Sequence, residues 1–218
     1  MIYNYDVERL ITKHFAHWRT KVDGEWRPVK NDDGTIKHKI NSGEFNVLHS
    51  MTVHPEGKAE NSKGKKMQAF KTAEEVVPFL VENSVGVSAH VLVMPSGKRY
   101  EYYVEHVPDD EISMNHAGKS SWKNKVFLNT KSFGAELIRM AYKPIGEQYT
   151  IDQYKSVAEF FYLRNPKPFV DDHVTHEQIA PTRKTDPDFF DMGLYWQEYQ
   201  KVVELAMRKG IANPDLNV

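Results

Sequence analysis

Apolar and polar residues alternate most regularly near the middle of the chain, where Val85, Val87, Ala89, Val91 and Val93 are interleaved with Gly86, Ser88 and His90. A period of two marks a strand with one buried face. Pro95-Ser96-Gly97 then turns the chain into Tyr100, Tyr102 and Val104, which predicts a β-hairpin. Phe45 to Val53 is rich in β-formers and predicts another strand, followed by a polar loop from Pro55 to Lys66. Phe133, Ala135 and Leu137 predict a third, with the Glu136 carboxylate projected away from their apolar face. Elsewhere the apolar period lengthens to about 3.6 residues. Thr72 and Glu75 form a T-x-x-E capping box ahead of Val76, Phe79 and Leu80, in a helix that Pro78 should shorten or kink. Thr150 and Gln153 form a second box ahead of the apolar face Ile151, Tyr154, Val157, Ala158 and Phe161. A last helix carries Tyr195, Tyr199, Val202 and Ala206 on one stripe and stops at Arg208-Lys209-Gly210. Residues 6–16 read as a short helix, and Val22-Asp23-Gly24 and Asp32-Asp33-Gly34 as the turns of small hairpins. The pattern therefore gives an amino-terminal extension over 1–42 and a main domain over 43–218, with a sheet covered by helices.

The chain has 218 residues, 40% of them hydrophobic and 12% aromatic, enough for one substantial core but not for two comfortable domains. Lys and Arg number 29 against 30 for Asp and Glu, a net charge of -1, so the broad basic field of a nucleic-acid binder is missing and no nucleic-acid partner is expected. Cysteine is absent, which excludes disulfides and thiolate ligands and leaves any metal site to His, Asp or Glu. The first residues include Asp6 and Glu8 and no long apolar run, unlike a secretory signal, and no stretch reaches membrane-spanning length. Synthesis in a cytoplasm without membrane insertion is expected.

Residues 175–187, Thr-His-Glu-Gln-Ile-Ala-Pro-Thr-Arg-Lys-Thr-Asp-Pro, gather a His, two basic residues and an Asp around Pro181, more chemistry than packing requires. This run resembles the H-x-x-I-A-P-x-R-K-T-D-P motif of the type 2 N-acetylmuramoyl-L-alanine amidases, a superfamily that also holds phage amidase lysozymes and animal peptidoglycan recognition proteins. Asn46-Val47-Leu48-His49, Ser88-Ala89-His90 and Ser132-Phe133-Gly134-Ala135-Glu136-Leu137 fit the same family in order, so the resemblance covers roughly residues 45–190. The sequence departs from the family at Asn115, where Trp is usual, and at Thr182, where Gly is common.

The resemblance implies an α/β domain with a central mixed sheet flanked by helices. It implies that His49, His176 and Asp186 hold one zinc per chain and that Glu136 and Lys184 act on the substrate, the amide between N-acetylmuramic acid and L-alanine in peptidoglycan or a muropeptide. The residue chemistry is compatible with this. Two imidazoles and one carboxylate make a three-ligand zinc site with its fourth position open to water. A carboxylate at Glu136 can take a proton from water and pass it to the leaving amine. Lys184 stands two residues before Asp186, so in an extended loop both side chains point the same way.

Read from the residues alone, alternatives remain open. His173 competes with His176 in His-x-x-His, and His54 competes with His49. His90 suits a strand-orienting hydrogen bond, and His116 suits either a turn or the lining of the substrate groove. For the biological role, a small domain with no wall-binding repeat points first to a phage-type endolysin that reaches the wall after release. A cytoplasmic muropeptide-recycling amidase is the alternative, with a non-catalytic peptidoglycan-binding module behind it.

Overall fold

The computed structural model describes residues 2–82 and 86–211. The chain begins with strand β1 (Val7–Ile11) and a hairpin of β2 (Arg19–Val22) and β3 (Glu25–Pro28), then runs through the long β4 (Phe45–Val53). A small hairpin, β5 (Lys58–Glu60) and β6 (Lys66–Gln68), precedes helix α1 (Val76–Glu82). Strands β7 (Val91–Val93) and β8 (Arg99–Tyr103) form the expected hairpin, and β9 (Ser121–Trp122) and β10 (Lys125–Val126) form a minor one. Strand β11 (Ser132–Met140), α2 (Ile151–Arg164), β12 (His173–Thr175), α3 (His176–Ile179) and α4 (Met192–Arg208) complete the order.

Six strands make one mixed sheet in the order β1-β8-β7-β11-β4-β12. Strands β7, β11, β4 and β12 run parallel to one another, β8 runs antiparallel to β7, and β1 lies parallel to β8. One face packs Leu48, Val91, Ala135 and Leu137 against Val157 and Phe161 of α2 and Tyr195 and Tyr199 of α4. The other packs Leu92, Tyr102 and Ile138 against Val76 and Leu80 of α1, together with Ile112 and Met114. The result is one domain with a mixed sheet between helices, the architecture expected.

Local chemistry sets the helix starts. The Thr150 hydroxyl accepts from Gln153 N at 3.2 Å while Gln153 Oε1 accepts from Thr150 N at 3.0 Å, closing the capping box that opens α2. Before α1, Glu75 N donates to Thr72 Oγ1 at 3.4 Å and Lys71 N to Glu75 Oε2 at 2.9 Å. Pro78 falls in the first turn of α1, where the backbone N–H would have no helical partner anyway, so the helix tolerates it. Gly97 turns the β7–β8 hairpin at φ +81°, and a Cβ there would collide with the Tyr5 ring.

Two expectations are corrected. Residues 6–16 do not form a helix: Val7–Ile11 is an edge strand, paired from Val7↔Arg99 to Ile11↔Tyr103. Val7, Leu10, Ile11 and Phe15 have helix-like spacing, but a partner some ninety residues away supplies the hydrogen bonds that decide the outcome. The alternating stretch yields a strand only at Val91–Val93, and Val85 lies outside the described residues. Gly86 takes φ +69° and Ser88 pairs with Asn115, its Oγ accepting from Asn115 N at 2.8 Å, so this segment joins a loop rather than the sheet. The hairpin around Asp23-Gly24 forms as expected.

Candidate metal centre and its cleft

Strand parity places the first two site residues. Leu48 of β4 and Ala135 and Leu137 of β11 face α2 and α4, so His49 and Glu136, paired in register, face the opposite side. His176 arrives from the other edge of β4, where β12 pairs with Asn46–Leu48 and ends at Thr175. The Thr175 hydroxyl accepts from Gln178 N at 3.2 Å and Gln178 Oε1 accepts from Thr175 N at 2.7 Å, a capping box that holds His176 in the first turn of α3. The loop that follows brings Asp186 back, and Glu177 N donates to its carbonyl at 2.9 Å.

Three electron-pair donors converge there. His49 Nδ1 lies 2.8 Å from His176 Nδ1. Asp186 Oδ2 lies 3.0 Å from His176 Nδ1 and 3.6 Å from His49 Nδ1. Donors about 2.0–2.1 Å from a tetrahedral zinc stand roughly 3.3 Å apart, a value these three edges bracket. Both histidines are buried and Asp186 is partly so. Among the described residues this is the one group of its kind, and it fits a zinc ion in donor type, number and spacing.

The electrostatics agree. Burial pushes the His49 imidazole down to about 3, the nearby His176 adds to the effect and Asp186 opposes it, so the ring is neutral and its lone pair available. Burial alone would raise the Asp186 carboxyl, but hydrogen bonds and charge from His176 and His49 hold it well below the usual carboxylate range. Burial pushes the Glu136 carboxyl up to about 8, reinforced by the Asp186 charge and opposed by Lys184. Glu136 Oε2 is buried with no hydrogen-bond partner among the described residues. A lone carboxyl beside a donor cluster is costly as packing, and its raised pKa suits proton transfer near neutrality.

The site opens into a cleft of about 470 Å³ lined by Met51, Met67 and Phe70 and by Glu136, Arg183 and Lys184. Lys184 Nζ lies 3.9 Å from Asp186 Oδ1, which puts its ammonium beside the donor cluster. Arg183 donates to the carbonyls of Ala117 and Lys119 at 3.0 and 3.1 Å, tying the motif loop to the neighbouring one. A larger hollow of about 680 Å³ near Trp18 and Phe127 holds none of the five residues, so chemistry rather than size selects the cleft.

The structure thus brings His49, His176, Asp186, Glu136 and Lys184 together and leaves the competing histidines elsewhere. His54 accepts from Glu56 N in its loop. His173 faces α4 and contacts the Tyr195 hydroxyl at 2.6 Å. His90 Nδ1 accepts from Gly134 N at 2.9 Å, the strand-orienting role read for it. Two further features contribute. The Thr175-x-x-Gln178 box has the T-x-x-Q signature of a helix start, and His116, which by sequence suits either a turn or the groove, has Nδ1 2.9 Å from His49 Nε2.

The description N-acetylmuramoyl-L-alanine amidase belongs to a family model that matches residues 42–189. The 1,6-anhydro-N-acetylmuramyl-L-alanine amidase AmpD of Salmonella typhimurium (strain SL1344) is 34% identical over 136 residues, 61% of this chain and 66% of that protein. Its namesake in Enterobacter cloacae is 36% identical over 138 residues, 62% of this chain and 67% of that protein. The matched stretch therefore spans about two thirds of the length of these relatives. A crystal structure of a Se-Met AmpD derivative superposes with a TM-score of 0.52 at 23% identity, covering 92% of this chain and 96% of the other, a likeness of fold.

Proposed function

Because this chain belongs to the N-acetylmuramoyl-L-alanine amidase family, we propose that it hydrolyses the amide between N-acetylmuramic acid and L-alanine, and that its substrate is a soluble 1,6-anhydro-muropeptide. The convergence of His49 Nδ1, His176 Nδ1 and Asp186 Oδ2 beside Glu136, whose buried Oε2 has no hydrogen-bond partner among the described residues, carries this reading. His49, His176 and Asp186 are the residues that would hold one zinc. Such an ion supplies Lewis acidity and lowers the pKa of bound water to about 7. Glu136 takes the proton of the attacking water and returns it to the leaving amine of L-alanine. Lys184, beside Asp186, stabilises the negative charge that develops on the carbonyl oxygen. Met51, Met67 and Phe70 exclude water from one part of the cleft, and Arg183 and Lys184 make another part cationic, suited to a carboxylated peptide.

The choice of a soluble substrate rests on the two curated relatives, both named for a 1,6-anhydro-muramyl compound. It favours the recycling alternative, with action in the cytoplasm, over an endolysin. The test is parallel digestion of a soluble anhydro-muropeptide and of purified peptidoglycan sacculi. We expect free peptide with a new L-alanine amino terminus from the soluble compound, far faster than from sacculi. Faster release from sacculi would return the endolysin reading. New reducing sugar ends would reject the amidase assignment itself, since a glycosidase normally needs paired carboxylates.

A further inference from the structure

We infer that His116 is a positioning residue for the metal centre: through His49 it fixes which nitrogen of that ligand carries a lone pair toward the metal. This rests on the reading of His49 as a zinc ligand. The relay starts at a backbone atom whose role is not adjustable. His116 Nε2 lies 3.2 Å from the Ser132 carbonyl, which can only accept. It also lies 3.3 Å from Ser132 Oγ, whose hydrogen is already engaged by the Leu128 carbonyl at 2.6 Å. Both contacts are acceptors, so His116 Nε2 carries the ring hydrogen and Nδ1 is bare. That bare nitrogen lies 2.9 Å from His49 Nε2, which must therefore be the donor. In a neutral His49 the remaining nitrogen, Nδ1, is then left as a lone pair, and it is the atom that faces His176 and Asp186. The Ser132 backbone thus sets the ligand atom two imidazoles away.

The fold makes room for this relay at a single residue. A Cβ on Gly134 of β11 would lie 2.4 Å from His116 Cγ and 2.5 Å from its Nδ1. The His116 ring occupies the place of a side chain on the strand next to His49, and both rings are buried. Gly134 takes no left-handed conformation that would explain it otherwise, as its φ is not positive. The glycine is required by the ring.

The test uses zinc affinity, measured by competition with a chromophoric chelator, and the tautomer of each ring, read from the imidazole nitrogen shifts of the folded protein. His116→Leu should weaken zinc binding by roughly 10–100-fold. His116→Asn, which can place an acceptor oxygen near the Nδ1 position, should recover most of that loss, and Gly134→Ala should resemble His116→Leu. In wild-type protein both His116 and His49 should carry hydrogen at Nε2. If His116→Leu does not fold, these wild-type tautomers still decide, because hydrogen at His49 Nδ1 overturns the inference. Unchanged zinc affinity in a folded His116→Leu overturns it as well. A wild-type protein that binds no zinc would instead bring down the ligand reading beneath it.

Discussion

Buried histidines lie on opposite faces of the sheet, His173 on one and His49 with His176 on the other, and they differ in what their nitrogens meet. On the helical face, His173 Nε2 lies 3.4 Å from the Lys167 carbonyl and Nδ1 lies 2.6 Å from the Tyr195 hydroxyl. The carbonyl accepts, so Nε2–H donates to it and the hydroxyl donates to Nδ1. Each nitrogen has its complement. On the cleft face, two imidazole Nδ1 atoms and a carboxylate oxygen turn toward one another. A hydrogen on His176 Nδ1 could be shared with Asp186, but a divalent cation engages all three donors at once. His173 is as deeply buried as His49 and His176. What separates a ligand from a packing histidine is whether its partners are complementary to it or compete with it for a positive charge.

Removing one histidine from each face should separate the two environments most strongly. His176→Ala should lose zinc and reduce turnover to background while the fold persists. His173→Ala should keep one zinc per chain and lose about 1–3 kcal/mol of stability, because the Tyr195 hydroxyl would be left without its acceptor. Elemental analysis and denaturant unfolding of both variants check this. Zinc lost from the His173 variant and kept in the other would exchange their roles.

A smaller effect separates the base from the ligands. Glu136→Gln keeps shape and hydrogen-bonding capacity but removes basicity, so turnover should fall roughly 10²–10⁴-fold with zinc content unchanged. Near-normal turnover would refute the proton-transfer role, and loss of zinc would make Glu136 a ligand and put Asp186 in question.

Much of this centre was legible because its residues sit where local rules operate. Strand parity alone turns Glu136 away from Ala135 and Leu137, and the compact 175–187 motif carries His176, Lys184 and Asp186 within eleven residues. The capping box at Thr150 closes in full, whereas at Thr72 only the hydroxyl half forms, because the Glu75 carboxylate accepts from Lys71 N instead. What escaped depends on distant partners. Strand β1 is held by Arg99–Tyr103 and shows only a misleading apolar spacing of its own. The three-residue β12 is too short to give a period, yet it decides that His173 and His176 part company, one toward α4 and the other into the cleft. His116 acts through a vacancy at Gly134 that no spacing rule reveals.

The two faces should also differ, more weakly, in how stability depends on pH. Burial pushes the His173 imidazole down to about 4, against the opposing hydrogen bond to the Lys167 carbonyl. A histidine whose folded pKa is depressed binds its proton more readily in the unfolded chain, so its contribution to stability is full above about 6.5 and is lost as pH falls toward about 4. In zinc-free protein, the unfolding free energy of wild type should therefore drop between these values more steeply than that of His173→Gln. The difference in slope should approach about 1 kcal/mol per pH unit, the limit of 1.36 being set by one proton. Histidines of the metal centre titrate in both proteins and cancel from the difference, which isolates His173 on the helical face. Equal slopes would mean that His173 is solvated or already charged in the fold, and its complementary partners would no longer distinguish it from the ligands.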